Sequence, residues 1–144
     1  MGKPKEGKTK GGTRKHYSAG VIIKKGGKYL LIDRAIFPPG YASPAGHVDE
    51  KETPEGAVKR ELREETGLEA RKLKLMIHEE VPGNVCHHGV SVHEWFVYGC
   101  EWKGKLKISK GEAKGWGWYT PKQMEKLTLE KIWDYWFRKL GVLK

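Results

Sequence analysis

The chain is poor in cysteine and has no long apolar run. Among its 144 residues only Cys86 and Cys100 are cysteines, too few for a disulfide framework. They could form one bridge, but without an export signal they read as reduced, structural thiols. No stretch approaches the ~20 apolar residues that span a bilayer, and the lysine- and glycine-rich start has no apolar signal core. The expectation is a cytoplasmic protein with no membrane partner. Acidic residues are the minority, 18 against 28 lysines and arginines, for a formal charge of +10.

Half of that excess lies in residues 1–15, where Lys3, Lys5, Lys8, Lys10, Arg14 and Lys15 face Glu6 alone, a net +5. The segment has four glycines and no aliphatic residue after Met1, so nothing in it offsets the entropy of ordering. It reads as a disordered basic tail, either solubilising or in contact with RNA. Residues 16–144 suffice for a single domain with one substantial core.

Within that domain, residues 16–24 (HYSAGVIIK) and 28–34 (KYLLIDR) are β-branched or aliphatic runs around Lys25-Gly26-Gly27, the pattern of a hairpin. Tyr17 and Arg34 fall at strand ends, where a side chain can reach a ligand. Residues 35–44 (AIFPPGYASP) must be irregular. Residues 73–81 (LKLMIHEEV) and 90–101 (VSVHEWFVYGCE) read as strands, and Lys103-Gly104-Lys105 turns the second into a further strand at residues 106–108. Residues 109–117 (SKGEAKGWG) read as a loop.

Thr120 and Gln123 make a capping box, and Thr128 reads as the cap of a further helix whose Ile132, Trp133, Trp136, Phe137 and Leu140 recur at helical spacing as a core stripe. Cys86, His87, His88 and His93 are zinc-ligand types. Adjacent histidines point in different directions, however, and no C-x2-C pair exists, so residues 83–89 read as a substrate-side loop.

The most constraining stretch is residues 46–68, GHVDEKETPEGAVKRELREETGL. Thr53-Pro54 starts a helix and Gly67 stops it. On that helix Glu61, Glu64 and Glu65 stand at i, i+3 and i+4, three like charges on one face, which weaken a helix unless something binds them. An oxygen-only acidic cluster is what a hard cation such as Mg²⁺ or Mn²⁺ requires.

The spacing Gly46-x5-Glu52-x7-Arg60-Glu61-Leu62-x-Glu64-Glu65-x-Gly67-Leu68 is the complete Nudix signature, and the chain resembles a Nudix hydrolase. The resemblance implies an α/β/α sandwich with a mixed β-sheet. It also implies Mg²⁺-dependent cleavage of a nucleoside diphosphate linked to another moiety. By position it gives Glu64, Glu65 and Glu61 as metal ligands with the backbone carbonyl of Ala45, Arg60 as the residue orienting a glutamate, and Glu52 in support. Glu61, Glu112 and Glu52 are the alternatives for the general base. Gly46, Arg34, Tyr17 and Trp118 are the candidates for substrate contact.

The substrate expected first is a nucleoside triphosphate, oxidised ones included, cleaved to the monophosphate and pyrophosphate. ADP-ribose, weakly suggested by Pro82, follows, with dinucleoside polyphosphates and capped RNA as further options. A reading of another class is a non-catalytic nucleotide or RNA binder on the same fold.

Overall fold

The computed structural model describes residues 2–111 and 113–144. Its elements in order are β1 (Glu6–Lys8), β2 (Arg14–Ile22), β3 (Lys24–Lys25), β4 (Lys28–Arg34), β5 (Gly40–Ala42), β6 (Ala45–His47), α1 (Pro54–Thr66), β7 (Glu69–Val81), β8 (Val92–Lys103), β9 (Ala113–Tyr119), α2 (Pro121–Met124) and α3 (Lys131–Lys139). They form two sheets. The first runs β1-β2-β8-β7 with β6 also on β2, and is mixed because β2 and β8 are parallel. The second, β3-β4-β5 with β9 on β4, is antiparallel.

Alternation along β2 sorts the two cores. Ala19 and Val21 face the cluster containing Ala57, Val58 and Leu62 of α1. Ile22 joins the cluster of Trp133, Trp136 and Phe137 from α3. Successive side chains of a strand point to opposite faces, so a helix covers each side. Gly20 is required on the α3 side, because a Cβ there would stand 2.5 Å from the Trp133 ring.

Several local readings of the sequence hold. Gly26 and Gly27 both have positive φ in the turn between β3 and β4, the requirement of a tight hairpin. Thr53 caps α1 by accepting from Gly56 N at 3.0 Å, and Gly67 closes it at φ 75°. The Thr120–Gln123 capping box is formed.

Others are corrected. The segment expected to be a disordered tail carries β1, which pairs with β2 through Glu6↔His16, and its backbone is tied to the loop before α1 by Lys5 N→Val48 O and Glu50 N→Lys3 O. Backbone pairing and the Glu6–Arg14 ion pair supply the ordering that side-chain hydrophobicity does not. The domain therefore begins before residue 16, and Lys15 is buried.

Residues 106–108 are not a strand. They lie against the end of α1, where Lys107 N and Ser109 N donate to the open carbonyls of Thr66 and Glu65. Of the segment expected as a loop, residues 109–111 are irregular but residues 113–117 belong to β9, paired along β4 from Tyr29↔Tyr119 to Arg34↔Ala113. The N-cap of α3 is Glu130, with no side-chain capping bond, rather than Thr128.

Candidate active site

Arg60 is the hub of the site. Its Nε donates to Glu52 Oε2 at 2.7 Å and its NH2 to Glu52 Oε1 at 2.8 Å, a two-pronged pair. NH1 donates to Glu61 Oε1 at 2.7 Å, and NH2 also reaches the His47 carbonyl at 3.0 Å. The pairing with Glu64 one turn on, which the helical spacing permits, is the long arm at 3.4 Å. One guanidinium thus fixes the loop before the helix, the helix itself and the strand β6. The Arg60 hydrogen bonds hold the Glu52 carboxyl below the usual range, aided by the Asp49 backbone N–H. In return Glu52, and after it Glu61, raise Arg60, which stays charged.

Ala45 and Gly46 of β6 lie against the acidic face of α1. The Ala45 N–H donates to Glu65 Oε1 at 3.3 Å. Gly46 has no Cβ where the Glu61 carboxylate sits, so strand and carboxylate touch. These contacts follow from the pairing of β6 with β2, which fixes Gly46 opposite Ala19.

In front of them opens a cavity of about 390 Å³. Glu61, Glu65, Arg60, Ala45 and Gly46 line one wall, and Arg34, Ile32, Ser43, Glu130 and Trp133 line another. Arg34 is held by Nε donation to the Pro38 carbonyl at 2.7 Å, 3.7 Å from Glu130 Oε1. Burial pushes the Glu130 carboxyl up to about 7, against the opposing pull of Arg34. A third wall is made by His47, His93 and the loop bearing Cys86, His87 and His88. His47 is half-buried.

The sequence candidates fall into two groups. Glu61, Glu65, Ala45, Gly46, Arg60 and Arg34 meet at the cavity, with Glu52 behind Arg60. Glu64 is half exposed and is not among the lining residues. Tyr17 and Trp118 are also outside the lining. Tyr17 packs beside Gly7 beneath the ammonium groups of Lys5 and Lys15, and Trp118 stacks on Trp102. Glu112 lies outside the described residues. Glu130, Ser43 and Trp133 were not legible as cavity residues, because nothing in their local pattern marks them. Ser43 Oγ is buried without a hydrogen-bond partner among the described residues.

The chemistry of the donor set fits a hard divalent cation: carboxylates and a backbone carbonyl offer oxygen alone. Of the two free thiols, Cys86 lies on the histidine wall of the cavity, in the loop after β7, and Cys100 is on β8.

The acidic helix α1, held by Arg60 and facing the cavity, is the site of the Nudix class of phosphoanhydride hydrolases. The NUDIX domain profile matches residues 14–140, and the chain belongs to that family. Among its relatives, the RNA pyrophosphohydrolase of Hydrogenovibrio crunogenus is 29% identical over 114 residues, spanning 68% of each chain. The 8-oxo-dGTP diphosphatase of Proteus vulgaris is 28% identical over 102 residues, spanning 69% of this chain and 88% of that one. The crystal structure of the mutator MutT protein from Bacillus halodurans superposes with a TM-score of 0.70 at 21% identity, over 89% of this chain and 82% of that one, and shares the fold. Nudix hydrolases generally use divalent cations. Among the described residues no helix is long and apolar enough to cross a membrane.

Proposed function

We propose that the chain is a Mg²⁺-dependent pyrophosphohydrolase acting on a nucleoside triphosphate, oxidised forms included, and releasing the monophosphate and pyrophosphate. The observation that carries this reading is the cavity, which joins the acidic wall of α1 to a mixed wall of Ile32, Ser43, Trp133 and Glu130. A triphosphate fits the first wall through its cation and a base fits the second. The names borne by the relatives agree with it.

Glu61, Glu64, Glu65 and the Ala45 carbonyl would hold the cation, which when bound neutralises phosphate charge and acidifies water. Arg60 keeps Glu61 and Glu52 in place. Glu61, next to Gly46, is the preferred proton acceptor for the attacking water. Arg34 supplies a positive charge on the far wall for a phosphate oxygen, and Ser43 offers an uncommitted hydroxyl to a base. Glu130, whose carboxyl titrates near neutrality, can donate or accept there. Groups fixed in advance around the cavity stabilise developing charge more strongly than freely reorienting solvent does.

A second reading, attack on the 5′ end of RNA, is favoured by the relatives named for it and by the basic residues of the first two strands. One panel separates the two. Standard and oxidised nucleoside triphosphates, 5′-triphosphorylated RNA, ADP-ribose and diadenosine polyphosphates are each incubated with Mg²⁺, and products are identified by mass. Monophosphate and pyrophosphate from a free triphosphate, lost with chelator, is expected. Turnover of RNA ends alone gives the second reading, and silence on every substrate with Mg²⁺ bound overturns both.

A further inference from the structure

Four of the six histidines in the chain, His47, His87, His88 and His93, line the cavity, and the His16 ring packs against three of them. Sheet register explains three of the five. The parallel pairing of β2 and β8 sets His16 beside His93. Ser18, two residues on from His16 and so on the same face, is paired with His47 of β6. The loop after β7 then folds back over these rings. Asn84 N→Ser91 O, Cys86 N→Val90 O and Gly89 N→Cys86 O close it, and Trp95 Nε1 donates to Asn84 Oδ1 at 2.8 Å. The result brings one ligand atom from each of His16, His47, Cys86 and His93 within 4.8 Å of one another.

We propose that His16, His47, Cys86 and His93 form a binding site for zinc or a similarly soft divalent cation, separate from the oxygen site on α1, which pins the loop 82–91 over the cavity.

Three observations bear on it independently. His93 is 2% exposed, and its ring nitrogens make no hydrogen bond of standard geometry among the described residues, the Asn84 backbone being the one hydrogen-bonding group that acts on the ring. Buried imidazoles normally find strong partners, and one so weakly held beside a thiol and two other imidazoles has a ligand atom to offer a metal. His16, equally buried, points Nδ1 at Cys86 Sγ, 3.8 Å away, while its Nε2 faces Glu6 Oε1 at 3.3 Å. A carboxylate on the outer nitrogen is how metal-bound histidines are oriented. His47 closes the set from β6, its ring stacked on His93 at 5.6 Å between centroids and set edge-on to His16 at 4.9 Å.

The donor types set the ion. Three imidazoles and a thiolate form a tetrahedral set that suits zinc, with bonds of about 2.0–2.3 Å, and rejects Mg²⁺. Closure from the present spacing needs movement of about an ångström in the ligands, which the hinge glycines Gly83 and Gly89, both at positive φ, can absorb through the loop. His88, 5.5 Å from His47 between ring centroids, stands just outside the four. The inference is independent of which nucleotide the enzyme cleaves.

The full chain, stripped with chelator and desalted, is titrated with Co²⁺ and followed by absorption. One equivalent should give the strong visible bands of a tetrahedral ion and a near-ultraviolet thiolate charge-transfer band. Zn²⁺ should abolish both, and excess Mg²⁺ neither. Cys86→Ser, in a half-buried loop position, should lose the charge-transfer band. Glu6→Gln should weaken cobalt binding by about tenfold or more. Glu64→Gln should leave the spectrum intact, which separates this site from the catalytic cation. Absence of the charge-transfer band in the wild-type protein overturns the proposal without reliance on any variant, as does its persistence in Cys86→Ser or its loss to Mg²⁺.

Discussion

The carboxylate of Glu61 occupies the space that a Cβ on Gly46 would fill. The glycine at the start of the signature is therefore a steric requirement of the helix facing it. Gly46→Ala should push the carboxylate away from Arg60 NH1 and out of its working position. A misplacement of about an ångström costs on the order of a hundredfold in turnover. The circular dichroism spectrum should be unchanged, because β6 keeps its pairing with β2. Turnover within a few-fold of wild type would show that Glu61 tolerates the shift and plays no part at that position.

Arg60 serves Glu52, Glu61 and the His47 carbonyl with three different nitrogens, which no lysine can imitate. Arg60→Lys should keep the charge yet lower kcat by about tenfold to a hundredfold, as loss of an orienting partner does elsewhere. The same change should alter acid stability. Glu52 has a lowered pKa in the folded chain, so its contribution is present above the ordinary carboxylate range and lost as pH falls through the lowered value. Without the guanidinium fork that contribution disappears, and thermal melts below about pH 5 should differ less from those at neutrality. Equal pH profiles for the two proteins would mean that the fork carries no such linkage.

The catalytic helix was legible because its information is local. Thr53, Pro54 and Gly67 mark its ends, and the spacing of its glutamates and arginine is fixed along one chain segment. The buried aromatic residues of α3, Trp133, Trp136 and Phe137, were legible from periodicity for the same reason. What failed was non-local. β9 looks like a loop because Gly115 and Gly117 dilute its alternation, and only β4 lying alongside makes it a strand. β1 has no hydrophobic pattern and is held by backbone bonds to β2. Adjacent histidines and the lack of a C-x2-C pair argue against a metal group in the loop sequence alone, whereas the cluster in the fold joins Cys86 and His93 to His16 and His47 from other strands. Parallel pairing of β2 with β8 joins those parts of the chain, and a parallel register leaves no mark in either strand's sequence.

Glu130 gives a pH test that the catalytic carboxylates do not share. Its carboxyl is raised from 4.5 to about 7, first by burial, with Arg34 pulling the other way. A raised folded value means that the protonated group is the one compatible with the fold. Its contribution is complete below about pH 4.5 and is lost as pH rises through about 7. The full loss is up to about 3 kcal/mol. Glu130→Gln, which stays neutral, should therefore gain stability over wild type between about pH 5 and pH 8 in denaturant melts. A constant difference across that range would show that Glu130 ionises freely in the folded chain.

Glu64 puts the cation assignment to its sharpest test, because its geometry and its proposed role pull apart. It is half exposed, outside the cavity lining, and bound to Arg60 only by the 3.4 Å arm. Taken as a surface residue, its replacement should change little, since exposed ion pairs contribute about 0–1 kcal/mol. Taken as a ligand beside Glu61 and Glu65, its replacement removes a charge from an oxygen set that must hold a dication. Glu64→Gln should then raise the Mg²⁺ concentration for half-maximal turnover and lower the saturated rate by on the order of a hundredfold or more. The melting temperature in chelator should be unchanged or higher, because one repulsion at i and i+3 on α1 has gone. A wild-type Mg²⁺ dependence in this variant would leave Glu64 a surface residue and confine the cation to Glu61, Glu65 and the backbone of β6.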